Sequence, residues 1–265
     1  MNRLLDTAIA AAEAGGATLR AMAADFGTVR VKSSSVDFVT EADLAAGVAA
    51  VRAIAQRVEG ARFVVEEPEV YALAGVPEGS LDDEEVWVVD PLDGTTSFVH
   101  GYPCYSTSVA CLHDGQPTAG AVHNVPLRET TSASVGEGAW LDGVRLQVTA
   151  AASIEEALLI TGFPYDRGET LDKQMRVFAR IILTAHDIRR DGSAAIDCCH
   201  VAAGRADGFW EFGLQPWDTA AGVVALREAG AIVSGIRGEP WTVRSGGIIA
   251  ANPVLHAALA ATIAA

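Results

Sequence analysis

Cysteine is scarce in this chain of 265 residues: there are four, Cys104, Cys111, Cys198 and Cys199, and no C-x-x-C pair. That scarcity excludes a disulfide-stapled scaffold, and His200 beside the adjacent pair gives no familiar zinc spacing. The four are expected to be reduced thiols of a cytoplasmic protein, packed as small apolar side chains. Positive charge is also short, with 19 Lys plus Arg against 34 Asp plus Glu and a net charge of −15. Such a surface repels polyanions, so no nucleic-acid partner is expected. Long apolar runs are missing too: none approaches the roughly 20 residues that span a bilayer, so no membrane partner is expected. Asp6, Glu13 and Asp25 interrupt the Ala-rich opening, which resembles neither a signal peptide nor a transit segment. What is present, 50% hydrophobic and 20% charged residues, suffices for a substantial core.

Apolar periodicity predicts an opening helix over about 2–24, despite Gly15 and Gly16. Thr40-Glu41-Ala42-Asp43 has the order of a capped helix start and precedes a second periodic stretch through Val58. Strands are expected at Arg62 to Val65 and Val86 to Val89, with the acidic, Pro- and Gly-containing segment from Glu66 to Glu85 read as a loop. Short β-type runs follow at Ser106 to Leu112, Thr118 to Asn124, Glu129 to Ser134 and Val144 to Val148, a meandering sheet separated by Gly-containing turns. Beyond about residue 150 strands and helices alternate: a strand at Ala157 to Thr161, a helix over Leu171 to His186, a strand near Asp187 to Arg190 and a helix from Ala194 to Ala203. A helix from Trp217 to Ala229, strands near Ala231 to Ser234 and Gly247 to Ala251, and a helix from Pro253 complete the pattern. The chain thus reads as an α+β half, 1–148, followed by an α/β half, 149–265.

The most informative window is Trp87-Val88-Val89-Asp90-Pro91-Leu92-Asp93-Gly94-Thr95-Thr96. An apolar strand is expected to end at Asp90, because Pro91 cannot extend a ladder, and Gly94 then allows a sharp bend. Asp90 and Asp93 are thereby brought close. Two ionised carboxylates at short range repel, so they call for a cation or for a shared proton. Oxygen ligands favour Mg²⁺ or Mn²⁺ over zinc or copper. D-P-x-D-G is not an EF-hand loop, and by itself it also suits an ordinary Asp-rich turn. Glu66 and Glu67 end the preceding strand and Asp218 opens a helix, so further acids fall at element termini, where sheets present functional groups. A helix cap for Asp218 and a solvated loop acid for Glu66 are the plainer alternatives.

WVVDPLDGTTSFVH at 87–100, with VVEEP at 64–68 and QPWDTAAG at 215–222, resembles the inositol monophosphatase family of metal-dependent, lithium-sensitive phosphatases. The likeness extends through Lys32-Ser33-Ser34, Val39 to Asp43, Thr161-Gly162-Phe163-Pro164, Arg190 to Ala195 and Ile249 to Asn252. It implies a layered αβαβα sandwich of the inositol monophosphatase and fructose-1,6-bisphosphatase type. It also implies Mg²⁺, two to three ions with Mn²⁺ as a substitute, held by Glu66, Asp90, the Leu92 carbonyl, Asp93 and Asp218. Thr95 and Asp43 resemble the pair that orients and deprotonates the attacking water, with Glu66 also in the catalytic set; Asp43 has a competing role as the acid of a capping box. Gly94, Thr95 and the following helix start resemble a phosphate cradle. Gly192, Ser193, Ala194, Glu211 and Asp218 resemble substrate contacts, although Glu211 also suits an ordinary surface strand. Lys32 is the other basic candidate, or a solvated lysine. Two positions depart from the family pattern: Val65 stands where Gly often precedes the paired Glu, and Ser97 where Asn is common.

The implied activity is hydrolysis of a small phosphorylated polyol, foremost inositol 1-phosphate, by metal-activated water without a phosphoenzyme, in a cytoplasmic homodimer. Phosphate monoesters are among the slowest substrates to hydrolyse unaided, needing accelerations of up to about 10²¹, more than a lone general base provides. Cations would also turn the local field of an acidic protein toward a phosphorylated substrate. Thr96 stands where the histidinol-phosphate and nucleotide branches often carry Lys. The rival activities are on histidinol phosphate, fructose 1,6-bisphosphate or a 3′-phosphonucleotide. A non-catalytic regulatory homologue is the rival of another class. A nucleotide-binding P-loop or Rossmann fold lacks its glycine motif here.

Overall fold

The computed structural model describes residues 3–25, 27–31, 38–166 and 168–265. Helix α1 (Arg3–Met22) is followed by a hairpin of β1 (Val29–Val31) and β2 (Phe38–Thr40), then α2 (Glu41–Ala55), β3 (Phe63–Val65), α3 (Glu69–Ala74), β4 (Glu85–Asp93) and α4 (Thr95–His100). Five antiparallel strands come next: β5 (Ser106–His113), β6 (Gln116–Asn124), β7 (Glu129–Ser134), β8 (Gly138–Leu141) and β9 (Val144–Arg145). The remainder runs β10 (Leu158–Thr161), α5 (Glu169–Ile182), β11 (Asp187–Arg189), α6 (Ala194–Ala202), β12 (Gly208–Phe212), α7 (Pro216–Glu228), β13 (Ile232–Ser234), β14 (Gly247–Ala251) and α8 (Pro253–Ala264).

One sheet has seven strands in the order β3-β4-β5-β6-β7-β8-β9, the other five in the order β11-β10-β12-β14-β13. Side chains alternate across a strand, and β4 shows what that achieves. Trp87 and Val89 pack toward α1 and α2 with Ala8, Ala12 and Ile54, while Val86 and Val88 pack the other way with Ala195, Val223 and Val224 of α6 and α7. Burial on both faces is why this strand is apolar at successive positions rather than at every second one. Beyond α6 and α7, the second sheet buries Ile160, Phe209 and Ile248 against them and turns Leu159, Trp210 and Ile249 toward Val177, Ile181 and Leu255 of α5 and α8. The result is a layered αβαβα sandwich. All four cysteines are buried and none is paired. Among the described residues no helix is long and apolar enough to cross a membrane.

Close approach explains two awkward glycines in α1. A Cβ on Gly15 would stand 2.7 Å from the Thr107 methyl, and one on Gly16 2.2 Å from the His123 ring, so these positions let the helix lie flat on the sheet. Gly120 is tighter in consequence, because a Cβ there would meet the Ala221 Cα at 2.7 Å, and backbone cannot rotate away. Gly120→Ala is therefore expected to destabilise the fold by about 1–3 kcal/mol through overpacking between β6 and α7. Urea unfolding checks this, and an unchanged midpoint would refute it.

Several sequence expectations are corrected. The segment from Glu66 to Glu85 is not all loop: α3 forms within it, covering the sheet edge with Val70 and ending at Gly75 in a left-handed cap. Pro91 does not end its strand. Between the pairs Asp90↔Ser108 and Asp93↔Ser106, β4 advances three residues while β5 advances two, and this bulge accommodates a residue without an N–H. α2 ends at Ala55 rather than near Val58 and α5 at Ile182 rather than His186. The Val144 to Val148 strand shrinks to Val144–Arg145, and β8 forms where the sequence pattern predicts no strand.

Candidate active site

The acids meet because of strand register. β3 and β4 are parallel with Val65 opposite Val89, so the next residues, Glu66 and Asp90, emerge side by side, and the Glu66 N–H donates to the Val89 carbonyl at 3.2 Å. The Asp90 carboxylate accepts from the Leu92 N–H at 3.0 Å, an Asx turn inside the bulge. Asp93 lies across the next short turn. One of its oxygens accepts from the Ser193 hydroxyl at 2.6 Å and from the Ala195 N–H at 2.8 Å, which ties β4 to the start of α6. Asp218 sits in the first turn of α7 and accepts from the Gln215 N–H at 2.7 Å. It is both the helix cap of the plainer reading and a member of the cluster.

Electrostatics show that these side chains share one field. Burial, then Glu66, Asp93 and Asp218, push the Asp90 carboxyl well above the usual range. Burial raises Asp93 to about 6, against the opposing hydrogen bonds from Ser193 and Ala195. Asp218 is raised by burial and then by Asp93. Among the described residues no three acid, histidine or cysteine side chains stand as a closed ion cage; the four acids line one cleft instead, with oxygens of Asp90, Asp93 and Asp218 held by protein donors. A hard oxygen donor set in which burial and then neighbouring acids raise Asp90, Asp93 and Asp218 fits a divalent cation such as Mg²⁺ or Mn²⁺.

Beside the acids, the Thr95 hydroxyl lies 3.2 Å from an Asp43 oxygen and 3.1 Å from the Leu92 carbonyl. The other Asp43 oxygen accepts from the Thr40 N–H at 2.8 Å and the Thr40 hydroxyl at 2.5 Å. The helix cap and the contact with Thr95 therefore use different Asp43 oxygens. Gly94 has a φ of +94°, and a Cβ would approach the Cys104 carbonyl to 2.8 Å and that of Gly192 to 3.2 Å, so only glycine lets this turn close against the second half.

The cleft encloses about 580 Å³ and is lined by Glu66, Asp90, Leu92, Asp93, Gly94 and Thr95, and by Gly192, Ser193, Ala194, Glu211 and Asp218. Of the residues singled out in the sequence, Asp43 lies just behind this lining, in contact with Thr95, and Lys32 lies outside the described residues. Glu211 is not a surface-strand acid: it is buried on β12, and burial followed by Asp93 raises its carboxyl to about 8. Phe163, Tyr165, Arg190 and Trp217 also line the cleft and carried no sequence signal beyond lying in or beside the quoted motifs. Tyr165 lines the same cleft, where burial and then Asp93, Glu66, Asp218 and Asp90 raise its hydroxyl.

Five alternating layers, with an acid-lined cleft where strand ends meet helix starts, define an α/β sandwich class. Within that class the chain belongs to the inositol monophosphatase family, whose model matches residues 1–265. It is 38% identical over 261 residues to an inositol-1-monophosphatase of Synechocystis sp., covering 98% of this chain and 88% of the relative. It is also 38% identical over 267 residues to a protein of Pseudomonas aeruginosa named Nus factor SuhB, covering 99% of this chain and 96% of that one. The solved inositol monophosphatase of Anabaena (Nostoc) sp. superposes with a TM-score of 0.85 at 34% identity, over 98% of this chain and 94% of the other.

Proposed function

We propose that this protein is a Mg²⁺-dependent phosphomonoesterase for a small hydroxylated phosphate ester, foremost inositol 1-phosphate, acting as a cytoplasmic homodimer. The observation that carries the reading is the Asp90 carboxyl, buried at 2% exposure and raised by that burial and then by Glu66, Asp93 and Asp218, in a cleft whose lining Thr95 is hydrogen-bonded to Asp43. The ligands would be Glu66, Asp90, the Leu92 carbonyl, Asp93 and Asp218, with Mn²⁺ able to replace Mg²⁺. Once bound there, the ions supply positive charge and Lewis acidity toward water and phosphoryl oxygens.

The chain's own groups do the remainder. As water attacks phosphorus and the bond from phosphorus to the alcohol oxygen breaks, the water proton passes to the Thr95 oxygen while the Thr95 proton moves to the Asp43 oxygen that faces it, and the departing alkoxide takes its proton from solvent water. Thr40 holds the second Asp43 oxygen and so keeps the acceptor aimed. Gly94 and the backbone opening α4 hold the phosphate. Gly192, Ser193, Ala194 and Glu211 bind the hydroxyls of the leaving alcohol, which Asp218 also reaches. In this scheme 1–148 carries the phosphate and most of the metal site, and 149–265 carries substrate choice and the last ligand.

The relatives named Nus factors favour one second reading, a regulatory homologue that retains the fold. The presence of every proposed ligand together with Thr95 and Asp43 supports catalysis instead. Phosphate release from inositol 1-phosphate, histidinol phosphate, fructose 1,6-bisphosphate and a 3′-phosphonucleotide, each with and without EDTA, decides between them. The expected result is fastest turnover of inositol 1-phosphate, abolished by EDTA and restored by excess Mg²⁺. Turnover that persists in EDTA, or no release from any of the four, would reject the proposal.

A further inference from the structure

Gln174 is fully buried on α5, in the same stripe as the apolar Val177 and Ile181. A buried amide is costly without partners; the Gln174 Oε1 has none among the described residues, and the partners of its Nε2 lead to the cleft. Its Nε2 donates to the Thr161 hydroxyl at 2.6 Å and to the Gly162 carbonyl at 2.7 Å. The Gly162 carbonyl can only accept, which fixes the orientation of the amide. The Thr161 hydroxyl in turn donates to the Trp210 carbonyl at 2.6 Å, across the last pair of the β10–β12 ladder.

Glu211 follows Trp210, and its carboxylate lies over the bare Cα of Gly162. A Cβ there would come within 2.2 and 2.3 Å of the two carboxylate oxygens. Gly162 is thus the floor of the slot in which Glu211 stands. Gln174 grips that floor by its carbonyl and grips, through Thr161, the strand that carries Glu211. We infer that Gln174 is a positioning residue for substrate selection: by way of Gly162 and Thr161 it sets where the Glu211 carboxyl group meets a hydroxyl of the leaving alcohol. The inference rests on the phosphatase reading above, and it concerns polyol recognition rather than phosphoryl transfer.

The test compares inositol 1-phosphate with phenyl phosphate, which offers Glu211 no ring hydroxyl, using the full chain with saturating Mg²⁺. Gln174→Met, close in size but without donors, should raise KM for inositol 1-phosphate about tenfold, the scale of one well-placed hydrogen bond. Its kcat on that substrate, and both constants for phenyl phosphate, should stay within about twofold. In a Glu211→Gln background, Gln174→Met should add nothing further, because coupled residues are not additive. Thr161→Val breaks the same relay without altering the amide and should give the same split, so it decides the matter if Gln174→Met folds poorly by circular dichroism. Equal losses on both substrates, or full additivity with Glu211→Gln, would overturn the inference while leaving the phosphatase reading in place. A wild-type protein inactive on inositol 1-phosphate would overturn that reading first, and this inference with it.

Discussion

Asp93→Asn is expected to abolish measurable turnover and to weaken Mg²⁺ binding by more than about 100-fold, the upper figure for loss of even an outer-shell partner of a metal site. The same substitution should make the metal-free protein more stable. The Asp93 carboxyl titrates at about 6 in the fold against an ordinary value of 3.8, so ionising it costs the folded protein more than the unfolded chain. That cost is absent below about pH 3.8, grows between there and pH 6, and is complete above. Metal-free stability should accordingly fall as pH rises through this window. Asn never ionises, and its carbonyl oxygen can still accept from Ser193 and Ala195, which now share one Asp93 oxygen. At pH 7 in EDTA the variant should exceed wild type by on the order of 1–2 kcal/mol, allowing for the part of the side chain that water reaches. At pH 3.5 the two should coincide, and in excess Mg²⁺ the order should reverse. Thermal melts under the three conditions provide the check; a variant less stable than wild type in EDTA at pH 7 would mean that the acids do not crowd one another.

Thr95→Ala should act on rate and leave metal binding almost untouched. A positioned proton acceptor contributes about 10²–10⁴-fold to rate, and kcat should drop by that range. Mg²⁺ affinity by titration calorimetry should change by no more than about twofold, since the Leu92 carbonyl and the four acids remain. Loss of the hydroxyl's contacts with Leu92 and Asp43 should cost the fold only about 0.5–1.5 kcal/mol. Thr95→Ser, which keeps the hydroxyl, should recover most of the rate. A normal kcat in the alanine variant would remove Thr95 from the proton path.

The contrast between these variants follows from what each side chain touches. Asp93 is a buried acid raised by burial and by Glu66, whereas Thr95 links the Leu92 carbonyl to Asp43 without carrying charge. A pH profile of kcat separates them further, because removing the Thr95–Asp43 pair should alter the rate limb governed by proton transfer while the metal-binding limb stays where it was.

The amino-acid sequence by itself determined the local chemistry. Thr40 and Asp43 declare their helix start through a capping pattern, Asp218 does so three residues after Gln215, and the apolar run before Asp90 requires a buried strand. Turn and cap chemistry acts over three or four residues, so it can be read from neighbours in the chain. Only the tertiary structure decided which of these groups meet. The parallel register that sets Glu66 beside Asp90, the passage of Asp93 to Ser193 across 100 residues, and the slot over Gly162 that buries Glu211 all depend on how layers stack. Burial and contact between layers come from packing of the whole chain, and no window of the sequence contains both partners.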